Sequence, residues 1–532
     1  MLRAGDAGVP DLILGTVNTV SSDPTTPGGT VAGCSPPSPP DPPCQPDRSV
    51  QGGQSEQVTF LIVGAGFSGL GAAIRLMQAG YTDMAILERA GDVGGTWRDN
   101  TYPGCRCDVQ SNLYSYSFAP KADWSESFPS QPELWAYLRS VTSKHGLRRY
   151  LRFGHEVTAA RWDAGSGRWR VSTTAGRFTS RYLIAAVGAL VEPSRPDIPG
   201  IESFAGPIMH SARWDHAWQA AGRRVAVVGT GASAIQIVPS IQPEVEHLAV
   251  FQRTAPFVVP HTNHPVKPQV RALYRALPAS QRASRIAIYW MRELLALGFV
   301  KNPRILKRAE LAWRRHMESA IADPVMRAQL TPTYDLGCKR VLPSNDYYPA
   351  IAKDNVTLVT EKIIEFRPDA VITADGAEHL VDTVILATGF HVTDNPTFGK
   401  ITGKNGQTLA SAFGSTYLGT VLPGFPNYFQ LTGANTGLGH SSMLLMIESQ
   451  LNYIADGITK TLAGGAPFEV RPEVAAGYNA ELQRKLPKTV WGSGCSSWYL
   501  DSEGRNLTLW PGFTFDFRRR TREFRTSDFT IG

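Results

Sequence analysis

Two glycine-rich loops, each placed directly after a short apolar run, constrain the fold of this chain more than any other feature. The first is Gly64-Ala-Gly-Phe-Ser-Gly69 after residues 58–63, and the second is Gly229-Thr-Gly-Ala-Ser-Ala234 after residues 225–228. Such glycines permit a tight turn, a close backbone approach to a pyrophosphate and close packing of a helix on a strand. The chain is therefore predicted to be α/β, with two doubly wound, Rossmann-like dinucleotide-binding domains.

The residue 24 positions after the first glycine of each loop (88 − 64 and 253 − 229) indicates which nucleotide that loop binds. After the first loop this residue is Glu88, whose carboxylate can accept both ribose hydroxyls of a dinucleotide. After the second loop it is Arg253, followed by Thr254. A guanidinium at this position favours the 2′-phosphate of NADP over the free 2′-hydroxyl of NAD. The second loop, with Gly231 and Ser233, is therefore predicted to bind NADP.

Changes in residue pattern along the chain predict its domain organisation. Residues 1–55 are rich in Pro, Gly, Ser and Thr and too poor in apolar residues to offset the entropy of ordering, so they are predicted to be a disordered tail. Residues 259–332 show apolar residues at helical spacing and are predicted to be a helical insertion. Residues 384–389 are predicted to form a further buried strand. The two nucleotide-binding domains are predicted to be discontinuous, the first over 56–203 and 387–532 and the second over 204–258 and 333–386.

Charge, cysteine content and hydropathy exclude several classes of function. The net charge is +7, and lysines and arginines that are spread along the chain favour a basic cleft for phosphorylated cofactors over a nucleic-acid site. Six cysteines in a chain of 532 residues, without a CxxC pair or zinc spacing, predict no disulfide scaffold, no metal site and a reducing, cytoplasmic location. The apolar run 286–300 is short and is interrupted by Arg292 and Glu293. It therefore predicts no transmembrane span, while peripheral membrane contact stays open.

The linker directly before the second loop carries a third pattern. It reads F-x-G-x-x-x-H-x-x-x-W-D and consists of Phe204, Gly206, His210, Trp214 and Asp215. This pattern resembles the fingerprint of the Baeyer–Villiger monooxygenases. Other segments are similar to segments of that family in the same order: Gly94-Gly-Thr-Trp97, Tyr102-Pro-Gly-Cys-Arg-Cys-Asp108, Phe251-Gln-Arg-Thr254, Lys339-Arg340, Ala387-Thr-Gly-Phe390 and Gly424-Phe-Pro-Asn427. The resemblance covers residues 58–524, and residues 437–442 and 491–522 look most like a bacterial and fungal subgroup that differs from the cyclohexanone-type members.

This resemblance implies an activity and two cofactors. In the family, NADPH reduces FAD, O2 adds at the flavin C4a position, and the resulting peroxide inserts one oxygen atom next to a ketone carbonyl to give an ester or lactone. Sulfides can be oxidised as well. The resemblance therefore implies FAD in the first domain, NADPH in the second, and a ketone or sulfide together with O2 as small-molecule partners.

The resemblance also implies roles for individual residues. Arg340 matches the family's active-site arginine, whose permanent charge stabilises the anionic peroxide and the tetrahedral adduct, and Asp108 matches the carboxylate that holds it. His210 is expected to have a structural and conformational role, and His440 and Met443 are candidate pocket residues. The residues expected to bind FAD or NADP are Gly64, Gly66, Gly69, Glu88, Gly95, Thr96, Trp97, Tyr102, Asp108, Gly229, Gly231, Ser233, Arg253, Thr254, Lys339 and Trp510.

Two alternative functions stay open. The first is an N- or S-oxygenating flavin-containing monooxygenase, although that related family carries another aromatic residue in place of Trp214-Asp215. The second is an NADPH-dependent flavin reductase or oxidase that passes electrons on without oxygenating a substrate. A redox-active CxxC would favour a disulfide reductase, and the sequence contains none.

Overall fold

The computed structural model describes residues 55–495 and 497–532. All of the predicted tail except Ser55 lies outside the described residues. The strands within the described part of the chain are β1 (Glu56–Val63), β2 (Met84–Glu88), β3 (Leu151–Phe153), β4 (Val157–Asp163), β5 (Arg168–Thr173), β6 (Arg177–Ala185), β7 (Ile208–His210), β8 (Arg224–Val228), β9 (His247–Phe251), β10 (Val258–Val259), β11 (Leu342–Pro343), β12 (Val356–Val359), β13 (Ile363–Arg367), β14 (Ala370–Thr373), β15 (Glu378–Leu380), β16 (Thr383–Leu386), β17 (Ile401–Thr402), β18 (Tyr428–Gln430), β19 (Phe468–Val470) and β20 (Phe529–Ile531).

The described residues also form α-helices along the whole of that range. They are α1 (Phe67–Gln78), α2 (Thr96–Asp99), α3 (Gln131–Lys144), α4 (Ala234–Ile241), α5 (Pro268–Ala276), α6 (Pro278–Val300), α7 (Leu306–Ala320), α8 (Pro324–Gln329), α9 (Tyr347–Ile351), α10 (Leu409–Ala412), α11 (Met443–Leu462), α12 (Pro472–Lys485) and α13 (Thr514–Arg520).

The larger sheet is built around β1 and carries the first glycine loop. Its strand order is β17-β4-β5-β6-β1-β2-β3, and β18 adds to β6. Strand β1 pairs in parallel with β2 on one side and β6 on the other, so Val63 lies opposite Leu87 and Ala185. Because parallel strands are buried on both faces, they read as continuous apolar runs, which is why residues 58–63 predicted a strand.

The smaller sheet is fully parallel and carries the second loop. Its order is β12-β9-β8-β16-β7, with β8 between β9 and β16. All its strands come from residues 208–386, whereas those of the larger sheet come from 56–185 and 401–430. This separation supports the proposed domain limits, which stay a prediction.

Strand β16 ends earlier than the sequence predicts. The predicted strand runs over 384–389, but β16 stops at Leu386. Beyond it the Thr388 hydroxyl donates to the Ser194 carbonyl, and Gly389 takes a left-handed backbone with φ 85°. These two features turn the chain away from the sheet, so the prediction of strand residues beyond Leu386 is wrong.

Helices α5 to α8 occupy the region predicted to be a helical insertion. The longest of them, α6, begins with Pro278, whose missing N–H costs nothing in a first helical turn. Among the described residues, no helix is both long and apolar enough to cross a bilayer.

A disulfide joins Cys338 to Cys495, with Cα atoms 6.3 Å apart. It links the chain just before Lys339 and Arg340 to a segment 157 residues further on. A reducing location predicts that the cysteines are free thiols. The disulfide between Cys338 and Cys495 does not agree with that prediction. Cys105 and Cys107 are free and buried, and burial raises the pKa of Cys105 to about 12, so neither is a ready thiolate nucleophile.

Candidate active site

The first glycine loop connects β1 to α1 in the geometry that a pyrophosphate requires. Gly64 has φ 105°, and a Cβ atom there would lie 2.5 Å from the Ala186 carbonyl oxygen. A Cβ atom on Gly69 would lie 1.8 Å from the Gly64 carbonyl oxygen, so only glycine lets the helix pack this closely. No side chain caps the N-terminus of α1, whose free N–H groups and partial positive charge suit a phosphate.

Glu88 lies at the end of β2 beside this loop. Its Oε2 atom accepts from the Ala65 N–H at 2.9 Å, and its Oε1 atom accepts from the Ala90 N–H at 3.0 Å and from Arg98 at 2.8 Å. Each carboxylate oxygen can accept two hydrogen bonds, which leaves Oε2 free for one more donor, such as a ribose hydroxyl. Arg98, which sequence reasoning missed, follows the Gly94-Gly-Thr-Trp97 motif directly, and that adjacency was the available signal.

The Gly94-Gly-Thr-Trp97 motif, whose residues are expected to bind a cofactor, lies against this loop. Gly95 approaches Gly66, since a Cβ atom on Gly95 would lie 3.3 Å from the Gly66 Cα. The Trp97 indole N–H donates to the Tyr114 hydroxyl at 3.2 Å, and the Thr96 hydroxyl donates to the Leu190 carbonyl at 3.4 Å. The contact between Gly95 and Gly66 brings this motif to the first loop.

Tyr102 connects the first nucleotide-binding unit to the second. Its hydroxyl donates to Gln236 on α4 at 3.0 Å, and burial raises its pKa well above the usual value. Gly104 lies so close to the same helix that a Cβ atom would be 2.4 Å from the Ser240 hydroxyl. The Gln236 amide donates to the Arg106 carbonyl. Sequence reasoning missed Gln236, because nothing in the spacing of α4 marks it.

The second loop repeats the geometry of the first. The Gly229 N–H donates to the Phe251 carbonyl at 3.0 Å, as the Gly64 N–H does to the Leu87 carbonyl at 2.7 Å. A Cβ atom on Gly229 would meet the Ala387 carbonyl oxygen at 2.6 Å, whereas one on Gly231 would meet open space. Ser233 is the N-cap of α4 but makes no side-chain capping bond there. The loop therefore presents an open helix N-terminus to a ligand.

Arg253 and Lys339 lie near each other at the end of β9. Burial and the charge of Arg253 lower the pKa of Lys339, and the Lys339 ammonium lies 4.8 Å from the centre of the Tyr334 ring. Within the described residues neither cation has a carboxylate partner. Thr254 is adjacent, and its carbonyl accepts from the Thr230 hydroxyl. Two unneutralised cations side by side favour a bound dianion such as a phosphate.

Arg340 and Asp108, 232 residues apart in sequence, form an ion pair. The Asp108 Oδ2 atom accepts from Arg340 Nε at 2.8 Å and lies 2.7 Å from Nη2, while Nη1 donates to the Leu438 carbonyl at 3.1 Å. The charge of Asp108 raises the pKa of Arg340. Burial alone would raise the pKa of Asp108, but the charges of Arg340 and Arg292 lower it. The side chains of Arg340 and Asp108 keep 30% and 24% of their surface accessible. The pair is therefore held in place without being closed off from solvent.

A second arginine, Arg292 of α6, lies beside this pair and was missed as a site residue. It donates to the Asp108 carbonyl at 3.2 Å and to the Gln110 side chain at 2.7 Å. Within the described residues it has no carboxylate partner, so its charge adds to that of Arg340. The interruption of the apolar run at Arg292 was the sequence signal, since a charge inside such a run needs a polar partner.

His440 lies in the apolar wall next to the two arginines. Its ring centre is 6.3 Å from that of Phe299, and neither of its ring nitrogens has a hydrogen-bond partner. Burial lowers its pKa to about 3, and the charges of Arg292 and Arg340 act in the same direction. His440 is therefore a neutral side chain at physiological pH. Met443 lies close by in sequence, as the first residue of α11.

The linker fingerprint packs mainly on the second unit. The Phe204 ring contacts Phe366, and a Cβ atom on Gly206 would lie 2.0 Å from the Asp382 carbonyl oxygen. His210 ends β7, its Nδ1 atom accepts from the Ala212 N–H, and burial lowers its pKa to about 4. Trp214 packs edge-on against Trp218, and Asp215 caps the following turn through the Ala217 N–H. These contacts are structural, and the expected structural and conformational role of His210 stays a prediction.

Trp510 does not offer a free polar atom to a ligand. It is 1% exposed, and its indole N–H donates to the Phe513 carbonyl at 2.9 Å. Its predicted role in binding a cofactor stays a prediction. Tyr499, which no sequence pattern indicated, is buried near Arg340, and burial raises its pKa to about 12.

The two buried histidines predict a pH dependence of stability. Their pKa values in the folded chain, about 4 for His210 and about 3 for His440, lie below the usual 6.5, so the unfolded chain binds protons that the folded chain does not. The free energy of unfolding is therefore expected to fall as the pH decreases from 6.5. His440→Leu should flatten the decrease in Tm between about pH 6.5 and about pH 5, whereas the same change at exposed His264 should not. An unchanged slope in His440→Leu would contradict the assignment.

The fold and the two loops define a protein with two dinucleotide-binding units and a fixed arginine between them. The family model described as pyridine nucleotide-disulphide oxidoreductase matches residues 61–294. A Baeyer–Villiger monooxygenase of Streptomyces coelicolor is 48% identical over 482 residues, which cover 90% of this chain and 93% of the relative. An FAD-binding monooxygenase of Aspergillus niger is 35% identical, covering 89% and 82%. A solved structure of oxidized steroid monooxygenase bound to NADP superposes with a TM-score of 0.79 at 32% identity, covering 90% of this chain and 99% of that one.

The chain belongs to the Baeyer–Villiger monooxygenase family. It is a flavin-dependent monooxygenase, and the predicted fold class, family and enzyme class are confirmed.

Proposed function

We propose that this enzyme inserts one oxygen atom of O2 next to the carbonyl of a ketone, giving an ester or lactone. The observation that carries the proposal is the Arg340–Asp108 pair, which places a fixed positive charge where the two nucleotide-binding units meet. An N- or S-oxygenating enzyme does not need this charge as strongly, because soft nucleophiles attack a neutral oxidant readily.

FAD and NADPH are the cofactors, as predicted. The first loop and the spare acceptor on Glu88 fit the dinucleotide part of FAD, and the second loop with Arg253 and Lys339 fits the phosphates of NADPH. When bound, FAD reduced by NADPH supplies the electrons that activate O2.

Arg340 has two functions in this proposal. It cannot lose its proton at working pH, so it supplies a permanent charge to the oxygen atom on which negative charge develops as a ketone is attacked. Its bonds to Asp108 and to the Leu438 carbonyl fix the guanidinium before the reaction, so little reorganisation is needed when the charge forms. His440 and Phe299 add an apolar wall that keeps the local dielectric low.

Arg292 is proposed to position Asp108 and to add to the local positive potential. Arg292→Met is expected to lower the rate of ester formation by about tenfold with little change in the KM for NADPH, because Arg292 lies away from the second loop. Arg292→Lys should recover part of the rate, since it restores the charge. The pH profile of the rate checks the role, since loss of this charge should raise the pKa of Asp108 and shift the acidic limb upward. A profile and rate equal to wild type would contradict it.

The proposed function is tested by following NADPH consumption with linear, cyclic, aromatic and steroidal ketones and, separately, with a sulfide. Products must be identified, because released peroxide also consumes NADPH. Ester or lactone formation is the expected result. Sulfoxide formation with no ester from any ketone would favour the N- or S-oxygenating alternative, and peroxide alone would favour the oxidase alternative.

A cytoplasmic location, oxygenation of sulfides and contact of residues 286–300 with a membrane surface stay proposals.

A further inference from the structure

The face of helix α6 that packs on the protein carries polar and charged side chains as well as apolar ones such as Tyr289 and Phe299. The side chains that face the protein include Gln281, Arg285, Arg292 and Glu293, and they are anchored by hydrogen bonds to backbone and side-chain groups. Glu293 is only 3% exposed and accepts from the Thr514 N–H and hydroxyl. A surface helix of a globular protein normally turns its apolar face inward, so this arrangement needs an explanation.

The outward face of α6 is apolar along its length. Trp290 is 53% exposed and Leu294 is 66% exposed. They belong to a set of exposed apolar side chains that we call the α6 stripe: Ile286, Trp290, Met291, Leu294, Leu295 and Leu297. Single exposed apolar residues are common, but a contiguous set on one helix indicates a surface that a membrane or another molecule covers.

Positive charge surrounds the α6 stripe. Between residues 267 and 316 the sequence has 12 lysines and arginines against two glutamates, a net charge of 12 − 2 = +10, whereas the whole chain carries only +7. Two of the twelve, Arg285 and Arg292, face the protein. Although basic residues are spread along the chain, they are therefore concentrated in this region. Arg282 lies four residues before Ile286, and Lys301 lies four residues after Leu297, so one basic residue stands at each end of the stripe. The exposed basic residues after the stripe are Lys301, Arg304, Lys307, Arg308, Arg314 and Arg315.

These basic side chains are free to meet an external anion. Within the described residues none of the six has a carboxylate within ion-pair distance. An apolar helix face with Trp and Leu, flanked by unpaired Lys and Arg, has the chemistry of a helix that lies in the plane of a bilayer interface. A second copy that docked through the same surface would bring two strongly basic regions together, and repulsion between like charges opposes that arrangement.

We propose that the α6 stripe and the basic residues 301–315 form a peripheral binding surface for a bilayer of anionic phospholipid. The apolar side chains insert below the headgroups, and the basic side chains contact the phosphates. The opposite face of the same helix holds Arg292 against Asp108, so binding places the candidate active site close to the lipid.

The test uses the full-length holoenzyme and sedimentation with phosphatidylcholine vesicles that contain about 30% phosphatidylglycerol or none. Binding is expected to the anionic vesicles only and to weaken strongly between about 0.05 M and about 0.5 M NaCl, because salt screens the charges. Trp290→Ser with Leu294→Ser should lower binding at least about tenfold. Lys301→Gln, Arg304→Gln and Lys307→Gln together should do the same.

Matched controls separate this surface from general effects. Ile364→Ser with Leu380→Ser removes two exposed apolar side chains from the β13–β15 sheet, and Lys144→Gln, Lys353→Gln and Lys362→Gln together remove the same charge elsewhere. Both should bind like wild type, and every variant should retain flavin and oxidise a water-soluble ketone within about twofold of wild type.

Three results would overturn the proposal. The first is wild-type binding that is absent or equal on neutral vesicles, and the second is binding that survives Trp290→Ser with Leu294→Ser. The third is a sedimentation-velocity shift from dimer to monomer in that variant, without vesicle binding by wild type, which would show that a second copy covers the stripe.

Discussion

Arg340→Ala is expected to lower ester formation by more than about 100-fold while flavin reduction by NADPH stays within about threefold of wild type. The reason is that Arg340 is held by Asp108 and the Leu438 carbonyl, whereas the residues proposed to bind the NADPH phosphates are Arg253 and Lys339, so NADPH binding should survive the loss of Arg340. Stopped-flow reduction without O2 and product analysis with O2 measure the two steps separately.

Two further variants make this result specific. Arg340→Lys keeps a charge but loses the fork that holds Asp108, so it should recover only a small part of the activity. Asp108→Asn keeps the shape of the pair but leaves Arg340 less firmly held, and it should be intermediate. Normal ester formation by Arg340→Ala would remove Arg340 from the chemistry, and an equal loss in flavin reduction would make it a general structural residue.

Arg253→Ala together with Lys339→Ala is expected to raise the KM for NADPH by about 100-fold and to change the KM for NADH by less than about threefold. Both cations lie beside the second loop without a carboxylate partner, and only NADPH carries the phosphate that would pair with them. Steady-state kinetics with each nucleotide provide the measurement.

Exposed Lys353 of the same unit is a suitable control, since Lys353→Ala removes a charge at a distance from the loop. Its kinetics with both nucleotides should match wild type. An equal rise in KM for NADPH and NADH in the double variant would remove the 2′-phosphate assignment, because a general loss of binding does not distinguish the two nucleotides.

The fold could be predicted from sequence because its strongest signals are local. Gly64 and Gly229 are each followed by a helix and, 24 residues later, by a residue at the end of the next strand. The structure shows why the first glycines recur, since the carbonyls of Ala186 and Ala387 fill the space that a side chain would need. Residues 384–389 show the limit of this approach, because apolar content does not indicate where a turn ends a strand.

The candidate site was harder to predict from the sequence, because its residues come together only in the folded chain. Arg340 and Asp108 were predicted to pair from family resemblance and not from spacing, and the structure places them in contact. Arg292 and Tyr499 reach the same site from α6 and from the segment after Cys495, and no periodicity in sequence connects these segments to Asp108. The disulfide between Cys338 and Cys495 likewise depends on a contact across 157 residues.

The central claim is that this enzyme transfers one atom of O2 to a ketone. The most direct test supplies wild-type enzyme, NADPH, a ketone that raises the rate of NADPH oxidation and isotopically labelled O2, and then measures the mass of the product. We expect an ester or lactone that carries one labelled oxygen atom, in proportion to the NADPH oxidised. Unchanged ketone with labelled hydrogen peroxide as the sole product would contradict it.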